Sequence, residues 1–240
     1  TRYIFKKLKG EKLSKKEIFS IIRDIVNNAL TEAEIAYFVS GVYKNGLEID
    51  ETIYLTEAMY KTGEKLNWGY KQIVDKHSIG GIAGNRTTPI IVSILASLGY
   101  TIPKTSSRAI TSPAGTADTM EVFCPVSHPI NKLKKIIQKT NACIVWEGAI
   151  SMASADDKLI KIRRPLRLDP TGLLLASILS KKLAVGATHL LVDIPMGMEA
   201  KIESIGAANH LKRMFEILGE KLKIKTIVWI SDGSQPIGNG

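Results

Sequence analysis

The sequence has few of the residues on which several classes of protein depend. Only two of its 240 residues are cysteine, Cys124 and Cys143, and neither belongs to a C-x-x-C pair or to a His/Cys cluster. This composition argues against a disulfide framework and against a metal site, and it predicts two buried free thiols in a reducing compartment. No apolar run approaches the roughly 20 residues that span a bilayer, and residues 1–12 lack the apolar core of a signal peptide. We therefore expect a cytoplasmic protein without a membrane partner.

The formal net charge of +10 raises the possibility of a basic nucleic-acid-binding module. Many of the lysines fall on the polar faces of predicted helices, for example Lys132, Lys135 and Lys139, and no aromatic residues are interleaved with them as stacking platforms. Solvated helix faces are the favoured interpretation, so no nucleic-acid partner is expected. A positive field would still attract a small anionic substrate.

Hydrophobic periodicity predicts a helical opening followed by alternating strands and helices. Ser14 with Glu17 and Thr31 with Glu34 have the spacing of capping boxes, each followed by apolar residues at helical intervals. From Ile73 onward, short β-branched runs alternate with helical segments, which is typical of a parallel α/β sheet. Strands are predicted at 73–74, 100–103, 142–146, 189–193 and 225–230, and helices at 88–98, 129–140 and 203–218, with helical texture over 156–183.

The first of two glycine- and hydroxyl-rich loops follows the strand at Ile73 and Val74. Lys76, Ser78, Gly80 and Gly81 precede a helix that opens at Thr87 and Thr88. Glycines let backbone N–H groups turn toward an anion, a helix N-terminus adds its positive dipole, and a lysine adds a full charge. Phosphate is the ligand that this pattern favours, although the same residue types also simply form loops. Neither G-x-x-x-x-G-K-[ST] nor G-x-G-x-x-G is present.

The second loop, 106–116, holds five hydroxyl side chains and the guanidinium of Arg108. Hydroxyls bond phosphate and ribose oxygens, and a guanidinium can clamp two oxygens at once. Because loops that follow consecutive parallel strands lie at one sheet edge, we expect loops 76–84 and 106–116 to face one crevice. The helix through 88–98 is predicted to bury Ile90, Ile91, Ile94, Leu95 and Leu98.

These motifs carry a family resemblance along essentially the whole chain. DKHSIGG, the GNRTT helix start and SRAITSPAGTADTMEV resemble the thymidine/AMP phosphorylase family, and the second loop is closer to the archaeal AMP phosphorylase branch. The resemblance implies an α/β plus all-α fold, in which a discontinuous helical domain packs on a partial mixed or parallel α/β phosphate-binding domain. It also implies that the chain is a fragment of a longer enzyme. The implied segments are helical 1–66, α/β 67–154, helical 155–187 and α/β 188–240.

The resemblance further implies phosphorolysis of AMP or another nucleoside 5′-monophosphate, giving free base and ribose 1,5-bisphosphate. Inorganic phosphate would be the co-substrate, with no other cofactor and no metal, and the enzyme would form at least a dimer through its helical domain. Asp169 matches the proton donor to the leaving base. The implied phosphate-binding residues are Lys76, Ser78, Gly80, Thr88 and Ser106. The implied substrate-binding residues are Gly81, Ser107, Arg108, Ala109, Ile110, Thr111, Ser112, Thr116, Arg163, Ser177, Lys181 and Lys201.

Several alternatives stay open at this stage. Arg164 could take the place of Arg163, Asp169 before Pro170 is also typical of a turn or helix cap, and Lys201 could be an ordinary exposed lysine. An Asp169 that donates a proton at neutral pH would need an environment that favours the neutral carboxyl, which burial against the leucines of 173–179 could provide. Thymidine or pyrimidine nucleoside phosphorylase is the alternative activity. The histidine of that branch's second loop is absent here.

Overall fold

The computed structural model describes residues 1–81, 87–108, 114–150, 152 and 154–235, which form two compact units. The helical unit comprises Thr1–Lys65 and Ser151–Ala184, and the sheet unit comprises Leu66–Ile150 and Val185–Gly240. Each unit is therefore built from two separate segments of the chain.

The described helices and strands follow one another in chain order. The first half contains α1 (Arg2–Leu8), α2 (Lys15–Val26), α3 (Glu32–Asn45), α4 (Ile49–Lys61), β1 (Val74–Ser78), α5 (Thr87–Ser97), β2 (Ile102–Ser106) and α6 (Thr116–Glu121). The second half contains α7 (Ile130–Thr140), β3 (Ala142–Trp146), a 3-10 helix (Glu147–Ile150), α8 (Ser154–Leu166), α9 (Thr171–Ala184), β4 (His189–Met196), α10 (Ile205–Lys221) and β5 (Lys225–Asp232).

Both capping boxes predicted from the sequence are confirmed. The backbone N–H of Ser14 donates to Glu17 Oε2 at 2.7 Å, and Glu17 N–H donates back to Ser14 Oγ at 3.4 Å. Thr31 and Glu34 make the same exchange at the start of α3. Because each box satisfies backbone donors that a helix start leaves unpaired, it fixes where α2 and α3 begin.

The core of the helical unit is aliphatic and draws on both chain segments. Its buried members from the first segment include Ile18, Ile21, Ile22, Ile25, Ile35, Phe38, Val39, Val42, Leu55, Ala58 and Met59, and those from the second include Ala155, Leu159, Leu173 and Ala176. A buried ion pair crosses this unit, since Lys7 Nζ donates to both carboxylate oxygens of Glu51 at 2.8 and 3.0 Å. The α1 and α4 helices are thereby linked by charge.

All strand pairings among the described residues are parallel. The strands β1, β4 and β5 form one sheet in that order, and β2 pairs with β3 in a second, two-stranded sheet. Thr101, just before β2, accepts a hydrogen bond at 3.0 Å from the backbone N–H of Val74 on β1. The first predicted strand was too short: β1 continues through Lys76, His77 and Ser78, which pair with Leu191–Asp193 of β4.

The predicted burial of the α5 helix was wrong for three of its five residues. The buried side chains of α5 are Thr88 and Val92, whereas Ile90, Ile94 and Leu98 are 56, 52 and 66% exposed. The helix is apolar on all sides, so its periodicity carries no information about which face packs on the strands. Among the described residues, no helix combines the length and apolarity needed to cross a bilayer.

Candidate functional site

Lys76 and the residues after it form the first group of candidate side chains, at the carboxyl end of β1. Lys76 is only 3% exposed, and its ammonium donates to Thr87 Oγ1, in the first turn of α5, at 2.8 Å. Thr88, in the same turn, is buried. The strand thus directs a buried cation toward a helix N-terminus, where both the charge and the helix dipole favour an anion.

The backbone beyond β1 packs closely against the loop after β4. Gly80 has a φ of +120°, which only glycine adopts without strain, and its carbonyl accepts from the backbone N–H of Lys201 at 3.2 Å. A Cβ on Gly81 would lie 3.0 Å from Pro195 Cβ. The structure therefore brings the predicted substrate residues Gly81 and Lys201 to the same loops as Gly80, with Lys201 itself exposed.

Asp193 on β4 joins Ser78 to β5. Ser78 Oγ donates to Asp193 Oδ2 at 3.1 Å, and Ser231 Oγ donates to Asp193 Oδ1 at 2.6 Å. The hydroxyl hydrogen of Ser78, predicted to bond phosphate, is thus engaged by a carboxylate in this structure. Sequence reasoning did not find Asp193, because its neighbours on the sheet come from two distant strands.

The second group lies at the carboxyl end of β2 and differs from its prediction. The Arg108 guanidinium, expected to clamp phosphate or substrate oxygens, instead bonds Asp118 at 3.0 Å and Glu121 at 2.6 Å, and it lies 4.7 Å from the centre of the Trp146 ring. The hydrogen bond from Arg108 lowers the pKa of Glu121, while Glu121 and then Asp118 raise the pKa of Arg108. The reason for the difference is local, since α6 places two carboxylates within reach of the arginine.

The same loop closes tightly on itself. A Cβ on Gly115 would lie 2.5 Å from the carbonyl oxygen of Ser107 and 2.6 Å from the carbonyl carbon of Arg108. Ser106 Oγ donates to the carbonyl of Ser107 at 3.2 Å, and Thr116 opens α6 rather than extending the loop. The predicted substrate residues Ala109, Ile110, Thr111 and Ser112 lie outside the described residues. They form the middle of loop 106–116. That this loop faces loop 76–84 across one crevice therefore stays a prediction.

A third group lies in the helical unit, between α8 and α9. Asp156 Oδ2 accepts from Ser177 Oγ at 2.7 Å and lies 2.9 Å from Lys181 Nζ. Asp156 is 1% exposed, Ser177 5% and Lys181 8%. The two predicted base-contacting residues, one helical turn apart on α9, therefore share one buried carboxylate oxygen that sequence analysis missed.

Arg163, not Arg164, is the arginine that faces the predicted proton donor. Its Nη1 forms a salt bridge with Asp169 Oδ1, and Arg163 is buried whereas Arg164 is exposed. The Asp169 side chain is 36% exposed, so it is partly buried. It lies in the connection between α8 and α9, with one carboxylate oxygen bonded to the Arg163 guanidinium.

The two cysteines differ from each other. Burial raises the pKa of the Cys143 thiol to about 12, and the nearby Asp75 charge adds to the rise. Cys143 is half-buried and Cys124 is exposed, so the prediction of two buried thiols is wrong. Cys124 follows α6 in a surface segment whose neighbours Val122 and Phe123 are also exposed, so local apolarity was a poor guide to burial there.

Two protein-family models match this chain, each over a different range of residues. Residues 1–63 match the glycosyl transferase family helical bundle domain, and residues 70–213 match the glycosyl transferase family a/b domain. The fold also matches the crystal structure of anthranilate phosphoribosyltransferase from Thermus thermophilus, with a TM-score of 0.77 at 18% identity, covering 100% of this chain and 69% of that one.

Three curated relatives align with 99% of the chain. An AMP phosphorylase of Thermococcus kodakarensis is 52% identical over 238 residues, and an AMP phosphorylase of Natronomonas pharaonis is 47% identical over 237 residues. A protein of Legionella pneumophila strain Paris named "Putative thymidine phosphorylase" is 45% identical over 238 residues. The aligned region is 47, 47 and 46% of these relatives, so the chain spans about half the length of the curated relatives it matches.

Proposed function

We propose a reaction for this chain from the premise that it belongs to the glycosyl transferase family, whose helical bundle and a/b domains it matches. The reaction is phosphorolysis of a nucleoside 5′-monophosphate, with AMP as the substrate. An oxygen of inorganic phosphate forms a bond to C1′ of the ribose while the C1′–N9 bond breaks. The electron pair goes to the base, which takes up a proton, and the products are adenine and ribose 1,5-bisphosphate.

The observation that carries the proposal is the Lys76 to Thr87 contact in the sheet unit. A cation that is 3% exposed and directed at the start of α5 supports a site for the attacking phosphate. Thr88 is the second residue of α5, and Ser106 is the last residue of β2. Their hydroxyl groups would add hydrogen-bond donors to the phosphate site. Phosphate is already an anionic nucleophile, so the site has to hold it in place rather than deprotonate it.

Ser78 would join the phosphate site only by changing its hydrogen-bond partner. Its hydroxyl donates to Asp193 in this structure, and an anion would need that hydrogen. Asp193 would keep one donor, Ser231, when Ser78 turns to phosphate.

The helical unit would bind the leaving base through Ser177, Lys181 and Arg163, and Asp169 would give it a proton. Because Asp169 Oδ1 is bonded to Arg163 Nη1, that contact has to open before the carboxyl group can reach the base. Contact between Arg163 and the base would open it. Proton donation at the leaving atom is worth about 10² to 10⁴ in rate in general acid catalysis.

Thymidine phosphorolysis is the second candidate, favoured by the 45% identical relative from Legionella pneumophila. The two candidates differ in whether the substrate carries a 5′-phosphate. An enzyme acting on AMP needs a second anion site, for which Lys201 and the 107–112 segment are the proposed groups. Self-association through the helical unit stays a prediction in both cases.

Release of free base from AMP, adenosine and thymidine, measured by chromatography with and without inorganic phosphate on the full-length protein, tests the proposal. We expect adenine from AMP only when phosphate is present, together with ribose 1,5-bisphosphate. If thymidine or adenosine is turned over as fast as AMP, the substrate is a nucleoside rather than a nucleotide. Base release that does not need phosphate would exclude phosphorolysis altogether.

A further inference from the structure

Asp118, in the first turn of α6, links the two described ends of loop 106–116. Its Oδ1 accepts from Arg108 Nη1 at 3.0 Å, and its Oδ2 accepts from the backbone N–H of Gly115 at 2.8 Å. One carboxylate therefore joins the segment that follows β2 to the residue that precedes α6.

The link brings two predicted substrate residues together. Ser107 precedes Arg108, and Thr116 follows Gly115. A Cβ on Gly115 would lie 2.5 Å from the carbonyl oxygen of Ser107, so the two backbones are already in close contact. The hydrogen bonds of Asp118 therefore act on the relative placement of Ser107 and Thr116.

We propose that Asp118 is a positioning residue, which holds Ser107 and Thr116 beside each other for the nucleotide and uses the Arg108 guanidinium as a structural link. The inference rests on the proposed function, in which this loop contacts AMP. It gives Asp118 a role in substrate binding, and it changes the role of Arg108 from a ligand of the substrate to a part of the support.

The bonds of Arg108 favour this role. Besides the bond to Asp118, its Nη1 and Nη2 donate to the two carboxylate oxygens of Glu121 at 2.6 and 3.0 Å. Two carboxylates thus surround one guanidinium, and a substrate anion would have to displace both of them to bind it. If the substrate does compete for Arg108, removal of either carboxylate strengthens AMP binding. If Asp118 positions the loop, loss of its link weakens AMP binding, so the two roles predict changes of opposite sign.

Asp118→Asn breaks the link with the least change in shape. An amide oxygen can still accept from one end of the loop, but the amide nitrogen is a donor and cannot accept from the other end. Glu121→Gln is the matched control. It removes the same charge from beside the same guanidinium, and it leaves both hydrogen bonds of Asp118 in place.

The test is titration calorimetry of the full-length protein with AMP, in the absence of inorganic phosphate. We expect the Kd for AMP to rise roughly tenfold in Asp118→Asn, as for the loss of one hydrogen bond to a charged group, and to equal the wild-type value in Glu121→Gln. A merely structural defect would lower the fraction of protein that binds without changing the Kd of the folded molecules. Equal or tighter AMP binding by Asp118→Asn would overturn the inference.

If Asp118→Asn fails to fold, Arg108→Met breaks the same link from its other end and leaves Asp118 to accept from Gly115. We expect a Kd for AMP raised by a similar factor, and an unchanged Kd would overturn the inference. Tighter AMP binding by Glu121→Gln would also overturn it, because it would show that the substrate competes for the guanidinium.

Because AMP binding needs no turnover, this experiment separates the inference from the proposed function. If the wild type binds AMP with an affinity that depends on Asp118 but releases no adenine when phosphate is added, the proposed reaction fails and the Asp118 inference stands. If the wild type releases adenine and Asp118→Asn binds AMP equally well, the reaction stands and the inference is wrong. If the wild type binds no AMP, the inference is wrong whatever the activity toward nucleosides.

Discussion

Arg163 on α8 and Asp169 in the connection to α9 form a salt bridge within the helical unit. The arginine is 9% exposed, so its charge is poorly solvated and the aspartate is its partner across a short connection. The guanidinium occupies one oxygen of Asp169, and the role proposed for Asp169 therefore depends on an exchange of that contact for one with the substrate.

Asp169→Asn should remove the proton donor without removing its shape. With AMP, we expect kcat to fall by about 10² to 10⁴ in the full-length protein. With 7-methylguanosine 5′-monophosphate, whose cationic base leaves as a neutral molecule without added protonation, the loss should be much smaller. Equal losses on both substrates, measured by base release, would show that Asp169 acts through structure rather than through its proton.

Lys76→Met should weaken phosphate binding. It removes a buried charge from the middle of β1 while keeping a side chain of similar length. Hydrogen bonds to charged groups contribute about 1.5–3 kcal/mol. We expect the KM for inorganic phosphate to rise roughly ten- to a hundredfold, and Lys71→Met, at an exposed lysine of the same unit, to leave it unchanged. An unchanged phosphate KM in folded Lys76→Met would place the phosphate site elsewhere.

Gly115→Ala should disturb the second loop. The new methyl group would lie 2.5 Å from a backbone oxygen, so the backbone has to move, and displacement of substrate groups by about 1 Å can cost about a hundredfold in rate. Gly206→Ala is the control, because nothing lies within 4 Å of its added Cβ in the first turn of α10. It should be neutral or stabilising by up to about 1 kcal/mol. Equal kcat/KM in the two variants would contradict the prediction.

The two thiols should react at different rates with N-ethylmaleimide. At pH 8 the exposed Cys124 is expected to be alkylated, whereas Cys143, with a pKa of about 12, holds only roughly one thiolate in ten thousand. The folded state retains this proton where the unfolded state releases it, so Cys143 should also lower stability as the pH rises from about 9 toward 12. Mass spectrometry of peptides labelled with and without urea measures both the reactivity of each thiol and the stability of the fold around Cys143. Early labelling of Cys143 in the native protein would contradict the prediction.

Lys7→Met should destabilise the helical unit by about 3–5 kcal/mol, because it leaves the Glu51 carboxylate buried without a counter-charge. The double variant Lys7→Met/Glu51→Gln should recover part of the loss, since an amide oxygen can still accept from the backbone of Leu13. Lys12→Met, which breaks an exposed ion pair, serves as the control and should barely change the urea midpoint. A double variant less stable than Lys7→Met would contradict the argument.

Local patterns were sufficient where one segment decides its own structure. The capping boxes and the isoleucines of α2 follow from spacing alone, and the limits predicted for β3 match the structure. The end of β1 was missed because Lys76, His77 and Ser78 look like a loop by composition. They are held as strand by pairing with β4, more than a hundred residues later.

The candidate site was predictable in part. The motif residues could be named from the chain, but their partners could not, because a carboxylate such as Asp193 or Asp156 acquires its role only when distant strands or helices meet. Arg108 illustrates the same limit. Its charge favoured an anion site, yet the residues that α6 brings beside it, Asp118 and Glu121, are themselves anions.

The division of each unit into two chain segments bears on the order of events during synthesis. As the chain leaves the ribosome, α1 to α4 emerge long before Ala155, Leu159, Leu173 and Ala176, which complete their core. Likewise, β1 has to wait for β4 as its pairing partner. Neither unit is complete before its second segment has been made, and the part of α2 that packs on α8 stays open to solvent or to chaperones until Leu166 has been made. A cut after Lys65 would therefore leave the helical unit without the residues that complete its core.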